Sequence, residues 1–202
     1  MLLSIIIPTY NEAENIKPFI LAIKKALAGY KNYEIIFVDD NSLDKTYDVV
    51  KKLSKTYKNV RCLRRIRRRG LASAVIEGSL SSSADLLLVM DADLQHDEKK
   101  IPKMLEIQKK HNLDVVIGSR FLNKSYSLGL SKNRNYISKF ANLLATKISG
   151  ISLTDPMSGF FLIKRNIIEE HATHLTGLGF KILFDILSAT KNKLKYREVG
   201  FN

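Results

Sequence analysis

Apolar residues along this chain come in short runs, and the runs alternate with stretches of helical period. "LLSIIIP" (2–8), "YEIIFVDD" (33–40), "DLLLVMDAD" (85–93) and "DVVIGSR" (114–120) are nearly continuous in branched apolar residues, as in strands covered on both faces. "NVRCLR" (59–64), "GFFLIKR" (159–165) and "LKYREVGF" (194–201) complete the set. Helical spacing runs through 14–28, 43–57, 70–82, 98–111, 131–149 and 178–191. Pro18 suits only the first turn of the first helix. The alternation predicts an α/β fold, with a mostly parallel central sheet and helices on both faces. A single domain over 1–202 accounts for it.

In open sheets of this kind, ligands bind beyond the carboxyl ends of the strands. Polar residues collect there. Pro8, Tyr10, Asn11 and Glu12 follow the first strand; Asp39, Asp40, Ser42 and Asp44 follow the second. Asp91, Asp93, Gln95 and His96 follow the fourth; Ser119 and Arg120 follow the fifth.

Charge sharpens this picture. Thirty-three Lys and Arg against 20 Asp and Glu give +13, which predicts an anionic partner: nucleic acid, an acidic membrane surface or a phosphorylated small molecule. The one cysteine, Cys62, excludes an internal disulfide and a cysteine-based zinc site. The N-terminal "MLLSIIIPTYNE" is too short an apolar run for a signal peptide, and no run approaches the ~18–20 apolar residues of a membrane span.

Why does so basic a chain place two carboxylates at the end of a buried strand? If the strand persists to residue 93, Asp91 and Asp93 point to one face, about 6–7 Å apart. They can then share a divalent cation, with Gln95 as a third oxygen ligand, and oxygen donors favour Mg²⁺ or Mn²⁺. The alternative is that one of them caps the helix starting near Asp97. His96, beside that helix start, reads as a capping or surface group. Asp39 and Asp40 can accept hydrogen bonds from a nucleobase or ribose, or can close the turn "DDNSLD".

"RCLRRIRRRG" (61–70) is the densest basic run. It can hold phosphates or lie on anionic lipid, or it can be a solvated loop. It lacks interleaved aromatics, and the strand-end acids would repel a phosphate backbone, so nucleic acid is not the expected partner. Arg120 and Arg134 are candidate phosphate clamps or surface arginines. "TDPMSGF" (154–160) is a polar turn, and Asp155 within it can line an acceptor pocket.

The segments "SIIIPTYNE", "VDDNSLDKT", "RRRGLASAVIEG", "VMDADLQH", "VIGSRF", "SKFAN" and "DPMSGFFLIKR", in that order, resemble the family 2 glycosyltransferases of the GT-A fold. The likeness spans nearly the whole chain and is strongest to the branch that makes dolichyl- or polyprenyl-phosphate mannose. It implies transfer of a sugar, usually mannose from GDP-mannose, to a membrane-embedded polyprenyl phosphate. Carried onto this chain, Pro8, Tyr10 and Glu12 frame the nucleotide with Asp39 and Asp40. Asp91, Asp93 and Gln95 hold Mg²⁺ or Mn²⁺. Arg120, Arg134 and Ser138 contact phosphates, and Asp93, Arg120 and Asp155 form the reaction centre.

The resemblance also implies a loop beyond the last strand that closes over the donor, and in many relatives membrane helices. The sequence stops at Asn202, where that loop is expected to begin. The expectation is a cytoplasmic catalytic domain, peripheral to a membrane surface, with room for a separate membrane subunit. The alternatives are a UDP-glucose-dependent transferase acting on a polyprenyl phosphate or glycan, and a nucleotide-binding remnant without turnover.

Overall fold

The computed structural model describes residues 2–93, 97–122, 153–179, 181–191 and 193–201. Seven strands form one sheet: β1 (Leu3–Thr9), β2 (Tyr33–Asp39), β3 (Val60–Arg64), β4 (Leu86–Val89), β5 (Val115–Ser119), β6 (Phe161–Lys164) and β7 (Tyr196–Gly200). Their order is β3-β2-β1-β4-β6-β5-β7. β6 runs antiparallel to both its neighbours; every other pairing is parallel. The mostly parallel sheet expected from the apolar runs is therefore present, with one reversed strand near its middle.

The alternation of side chains along each strand divides the core cleanly. Ile5, Ile7, Ile35, Phe37, Leu86, Leu88 and Leu162 face one side, where they meet Phe19 and Ile23 of α1 (Ala13–Ala26), Val50 of α2 (Thr46–Leu53) and Met104 of α4 (Ile101–His111). Ile6, Ile36, Val38, Leu87, Val89, Phe161 and Ile163 face the other. There they pack on Val75 of α3 (Leu71–Leu80), Ile168 of α5 (Arg165–His171) and Ile186 of α6 (Ile182–Ala189). Strands apolar at every position are the consequence of this two-sided burial.

Two local expectations change, and one helix appears that the periodicity does not predict. β4 stops at Val89, short of the aspartates. Its partners β1 and β6 both end their ladders there, and the chain turns away after a last bond from the Met90 N–H to the Ile6 carbonyl at 3.3 Å. Pro18 lies inside α1 rather than in its first turn, because the helix begins at Ala13. That start is fixed from outside: the Ala13 N–H donates to Asp44 Oδ2 at 2.9 Å and the Glu12 N–H to Thr46 Oγ1 at 2.9 Å. Finally, "RNIIEEH" forms α5 directly after β6, with no Gly or Pro to mark the change of period. The helix expected over 131–149 falls outside the described residues.

Candidate functional site

The carboxyl ends of β1, β2 and β4 enclose a cavity of about 260 Å³. Pro8, Thr9, Tyr10, Glu12, Asp40, Leu71, Asp91, Ala92 and Asp93 line it. Of the sequence-predicted residues, the fold thus brings together Pro8, Tyr10, Glu12, Asp40, Asp91 and Asp93. Gln95, Arg134 and Ser138 lie outside the described residues, as does His96.

Asp39 does not reach the cavity wall. It is fully buried, and its carboxylate accepts the Ser42 N–H at 3.1 Å and the Ser42 hydroxyl at 2.5 Å. It closes the turn after β2. Asp40, the next residue, faces the opposite way and lines the cavity.

Asp40 is held by a residue hidden within the basic run. Arg65 is only 3% exposed. Its guanidinium meets Asp40 Oδ1 at 2.5 and 2.7 Å, donates to the Gly70 carbonyl at 3.0 Å and to Ser73 Oγ at 2.8 Å, and reaches Glu77 at 3.1 Å. Asp40 Oδ2 accepts the Gly70 N–H at 2.8 Å. Gly70 has φ of +131°, a conformation that only glycine adopts without strain, and it delivers Leu71 to the cavity at the start of α3. A buried, multiply bonded arginine of this kind is a scaffold.

The rest of the run is also largely engaged. Arg61 bonds to Glu34 at 2.9 Å, and Arg64 to Asn41 at 2.9 Å while lying over the Tyr47 ring. Arg68 pairs with Glu77 at 2.8 Å, and Arg69 stacks 5.0 Å above the ring of Tyr10 at the cavity rim. The solvated-loop reading gives way to an internal one at Arg65 alone; Arg64, Arg67, Arg68 and Arg69 stay exposed.

Asp91 and Asp93 lie beyond the end of β4 rather than on it, yet both line the cavity. The cap of the next helical segment is Asp97, whose Oδ1 accepts the Lys99 N–H at 3.2 Å, so that duty does not fall on either of them. Burial, and then the neighbouring charge of Asp93, push the Asp91 carboxyl up to about 6, against a smaller opposing pull from Arg120. Two carboxylates that repel one another in a partly dry cavity are what a cation relieves. Their hard oxygens suit Mg²⁺ or Mn²⁺. Among the described residues no group of three or more His, Cys, Asp and Glu could enclose a metal, so these two acids supply only part of a coordination shell.

Gly159 fixes the position of Asp91 from the far side: a β-carbon there would stand 2.9 Å from Asp91 Oδ2. Gly159 ends the turn that begins at Thr154. Within that turn Asp155 is 3% exposed, and its Oδ2 lies 3.6 Å from Arg120 Nε, an ion pair beyond hydrogen-bond length. Burial raises the Asp155 carboxyl above the ordinary range, and Arg120 offsets this in part. Arg120 and Asp155 do not line the cavity itself, but Arg120 is near enough to act on the charge of Asp91. The two groups of residues therefore adjoin at Asp91.

The site is thus an acidic cavity at the strand ends of an α/β sheet, with two aspartates on the loop after a central strand. Residues 4–172 match the model of the glycosyl transferase family 2. The chain belongs to that family. It is 42% identical to a dolichol-phosphate mannosyltransferase of Pyrococcus furiosus, a match covering 100% of this chain and 56% of that protein. It is 35% identical to the dolichol-phosphate mannosyltransferase of Saccharomyces cerevisiae, over 92% of this chain and 69% of the relative.

Among solved structures, a mannosyltransferase from Pyrobaculum calidifontis, in complex with GDP-Man and Mn²⁺, superposes with a TM-score of 0.69 at 18% identity, covering 98% of this chain and 54% of that one. Glucosyl-3-phosphoglycerate synthase from Mycobacterium tuberculosis, with Mn²⁺ and UDP-glucose, gives 0.68 at 18% identity, covering 98% and 68%. These likenesses establish the GT-A fold. The chain spans little more than half the length of the Pyrococcus relative.

Proposed function

We propose that this chain carries an inverting glycosyltransferase activity that moves mannose from GDP-mannose to the phosphate of a polyprenol. The observation that supports this best is the convergence of Asp40, Asp91 and Asp93 on one cavity, in a chain 42% identical along its whole length to a dolichol-phosphate mannosyltransferase.

In this reading Pro8, Tyr10 and Glu12 frame the nucleotide, Asp40 accepts from the base or ribose, and Asp39 backs it by closing the turn. Asp91, Asp93 and Gln95 hold Mg²⁺ or Mn²⁺. The metal, when bound, neutralises the charge of the diphosphate leaving group. Arg120, Arg134 and Ser138 hold phosphates where donor and acceptor meet, beside Asp155. An acceptor phosphate oxygen attacks the sugar C1 from the face opposite the diphosphate. A C1–O bond to the acceptor forms as the C1–O bond to the diphosphate breaks, and the nucleoside diphosphate leaves with the electron pair. The α-linked donor becomes a β-linked product. The attacking oxygen is already anionic, so no strong base is needed, and positioning and charge stabilisation dominate.

The acceptor lies in a bilayer, so the chain works at the cytoplasmic face of a membrane, with its own further segments or a separate membrane subunit as an anchor. Among the described residues no helix is long and apolar enough to cross a membrane. The test is transfer from radiolabelled GDP-mannose to a polyprenyl phosphate in detergent with Mn²⁺, beside UDP-glucose as donor and a free glycan as acceptor. Lipid-soluble label from GDP-mannose alone is expected. Label only from UDP-glucose, or only in the glycan, overturns the substrate assignment; nucleotide binding without any transfer overturns the activity.

A further inference from the structure

The turn that carries Asp155 is held by a residue 43 positions away. The Glu198 carboxylate, on β7, accepts the Thr154 N–H at 2.9 and 3.1 Å, the Thr154 hydroxyl at 2.8 Å and the Asp155 N–H at 3.2 Å. Thr154 Oγ1 also lies 2.6 Å from Ser119 Oγ, at the end of β5 and next to Arg120. The turn is pinned again at its far end, where Ser158 Oγ donates to the Gly118 carbonyl at 2.6 Å. One carboxylate thus gathers two consecutive backbone N–H groups and a hydroxyl. Such charge-assisted bonds are roughly twice as strong as neutral ones.

From this geometry, and on the function proposed above, we infer that Glu198 is a positioning residue: it fixes the Thr154–Asp155 backbone so that the Asp155 carboxylate faces Arg120 and Arg120 is aimed at the phosphates beside Asp91. Three features carry the inference. Asp155 Oδ2 is buried, and the group that faces it is the Arg120 guanidinium, 3.6 Å away. The donors to Glu198 come from the residue bearing that carboxylate and the one before it. β7 pairs with β5 in register through Ile117↔Glu198 and Ser119↔Gly200, so Glu198 is fixed in the ladder that ends one residue before Arg120.

The experiment compares Glu198→Ala and Glu198→Gln with the wild-type chain by hydrogen–deuterium exchange, by GDP–Mn²⁺ binding and by transfer kinetics. Gln keeps one acceptor oxygen at the same reach and serves as the conservative variant if the alanine form folds poorly. Faster exchange confined to the 154–158 amides is expected. The KM for GDP-mannose should stay within about twofold, with kcat lowered about 10- to 100-fold in the alanine form and less in the glutamine form, the scale seen when an outer positioning partner is lost. Unchanged exchange at 154–158, or donor KM rising in step with the loss of kcat, overturns the assignment. If the wild-type chain transfers no mannose, the proposed function fails instead. Exchange at 154–158, together with undisturbed GDP–Mn²⁺ binding, then still decides whether Glu198 places the turn.

Discussion

The two halves of this sheet build their parts of the site in different ways. On the β1–β2–β3 side, acids sit at strand ends and are fixed by nearby loops: Asp39 by Ser42, Asp40 by Arg65 and Gly70. The strands there are parallel, so every strand end reaches the same edge. On the β6–β5–β7 side the reversed strand sends its start, not its end, to that edge. The functional turn therefore precedes β6, and it is fixed by residues remote in sequence, Glu198 and Gly118. The first half is a preformed acidic cavity. The second is an assembly of segments remote in sequence, which meet only when the sheet is complete. The difference teaches where each half is fragile.

The largest effect that would break this contrast lies at the junction of the halves. Asp93→Ala should abolish metal-dependent nucleotide binding and lower transfer by at least about 10²-fold, the scale of losing one preorganised electrostatic group. Calorimetric titration of GDP with and without Mn²⁺ checks the first part. Unchanged metal dependence would remove Asp93 from the cation site.

Next comes the scaffold of the first half. Arg65→Met leaves Asp40 in a buried place without its cation and should cost about 3–5 kcal/mol in denaturant unfolding. Adding Asp40→Asn to that variant should restore much of the stability while nucleotide binding stays impaired. A loss below about 1 kcal/mol for Arg65→Met would mean that the arginine is no more than a surface partner.

A third effect is one of pH. The Asp91 carboxyl is raised to about 6 from an ordinary value of 3.8, first by burial and then by Asp93. The folded chain therefore binds more protons than the unfolded chain between those values, and this group's contribution makes the metal-free protein less stable as pH rises through that window. Metal binding needs the ionised form, so Mn²⁺ affinity should climb with pH and level off above about 6. Thermal melts from pH 4 to 7 of the wild type minus Asp91→Asn isolate the term. A difference that is flat across the window would contradict the assigned burial.

The smallest effect sharpens the link between halves. Gly159→Ala sets a methyl group 2.9 Å from Asp91 Oδ2 and should push that carboxylate aside, weakening Mn²⁺–GDP binding several-fold with little change in melting temperature. Equal binding would show that the turn and the aspartates move independently.

What could be read from the sequence follows the same division. Runs such as "SIIIP" and "IIFVDD" announce parallel buried strands, and the acids after them fall at the predicted edge, because both signals are local. Asp39 and Asp40 read alike in the sequence, yet adjacent residues on a strand face opposite ways, and only Asp40 lines the cavity. Arg65 was hidden because a run of six arginines among residues 61–69 reads as one charged stretch, whereas the fold buries a single member of it. Glu198 carried no signal at all: its donors are 43 and 44 residues distant, and no local pattern encodes that pairing. The run through Asp91 looked like a longer strand because apolar content marks burial, while the length of a strand is set by its neighbours' ladders.

The most direct test of the central claim is a thermal melt with GDP, UDP and ADP, each with and without Mn²⁺, on the wild type and on Asp93→Ala. The account predicts a rise with GDP that requires Mn²⁺ and disappears in the variant, as ligand linkage demands of a specific site. A rise that needs no metal, that is equal for all three nucleotides, or that survives the loss of Asp93 would contradict it.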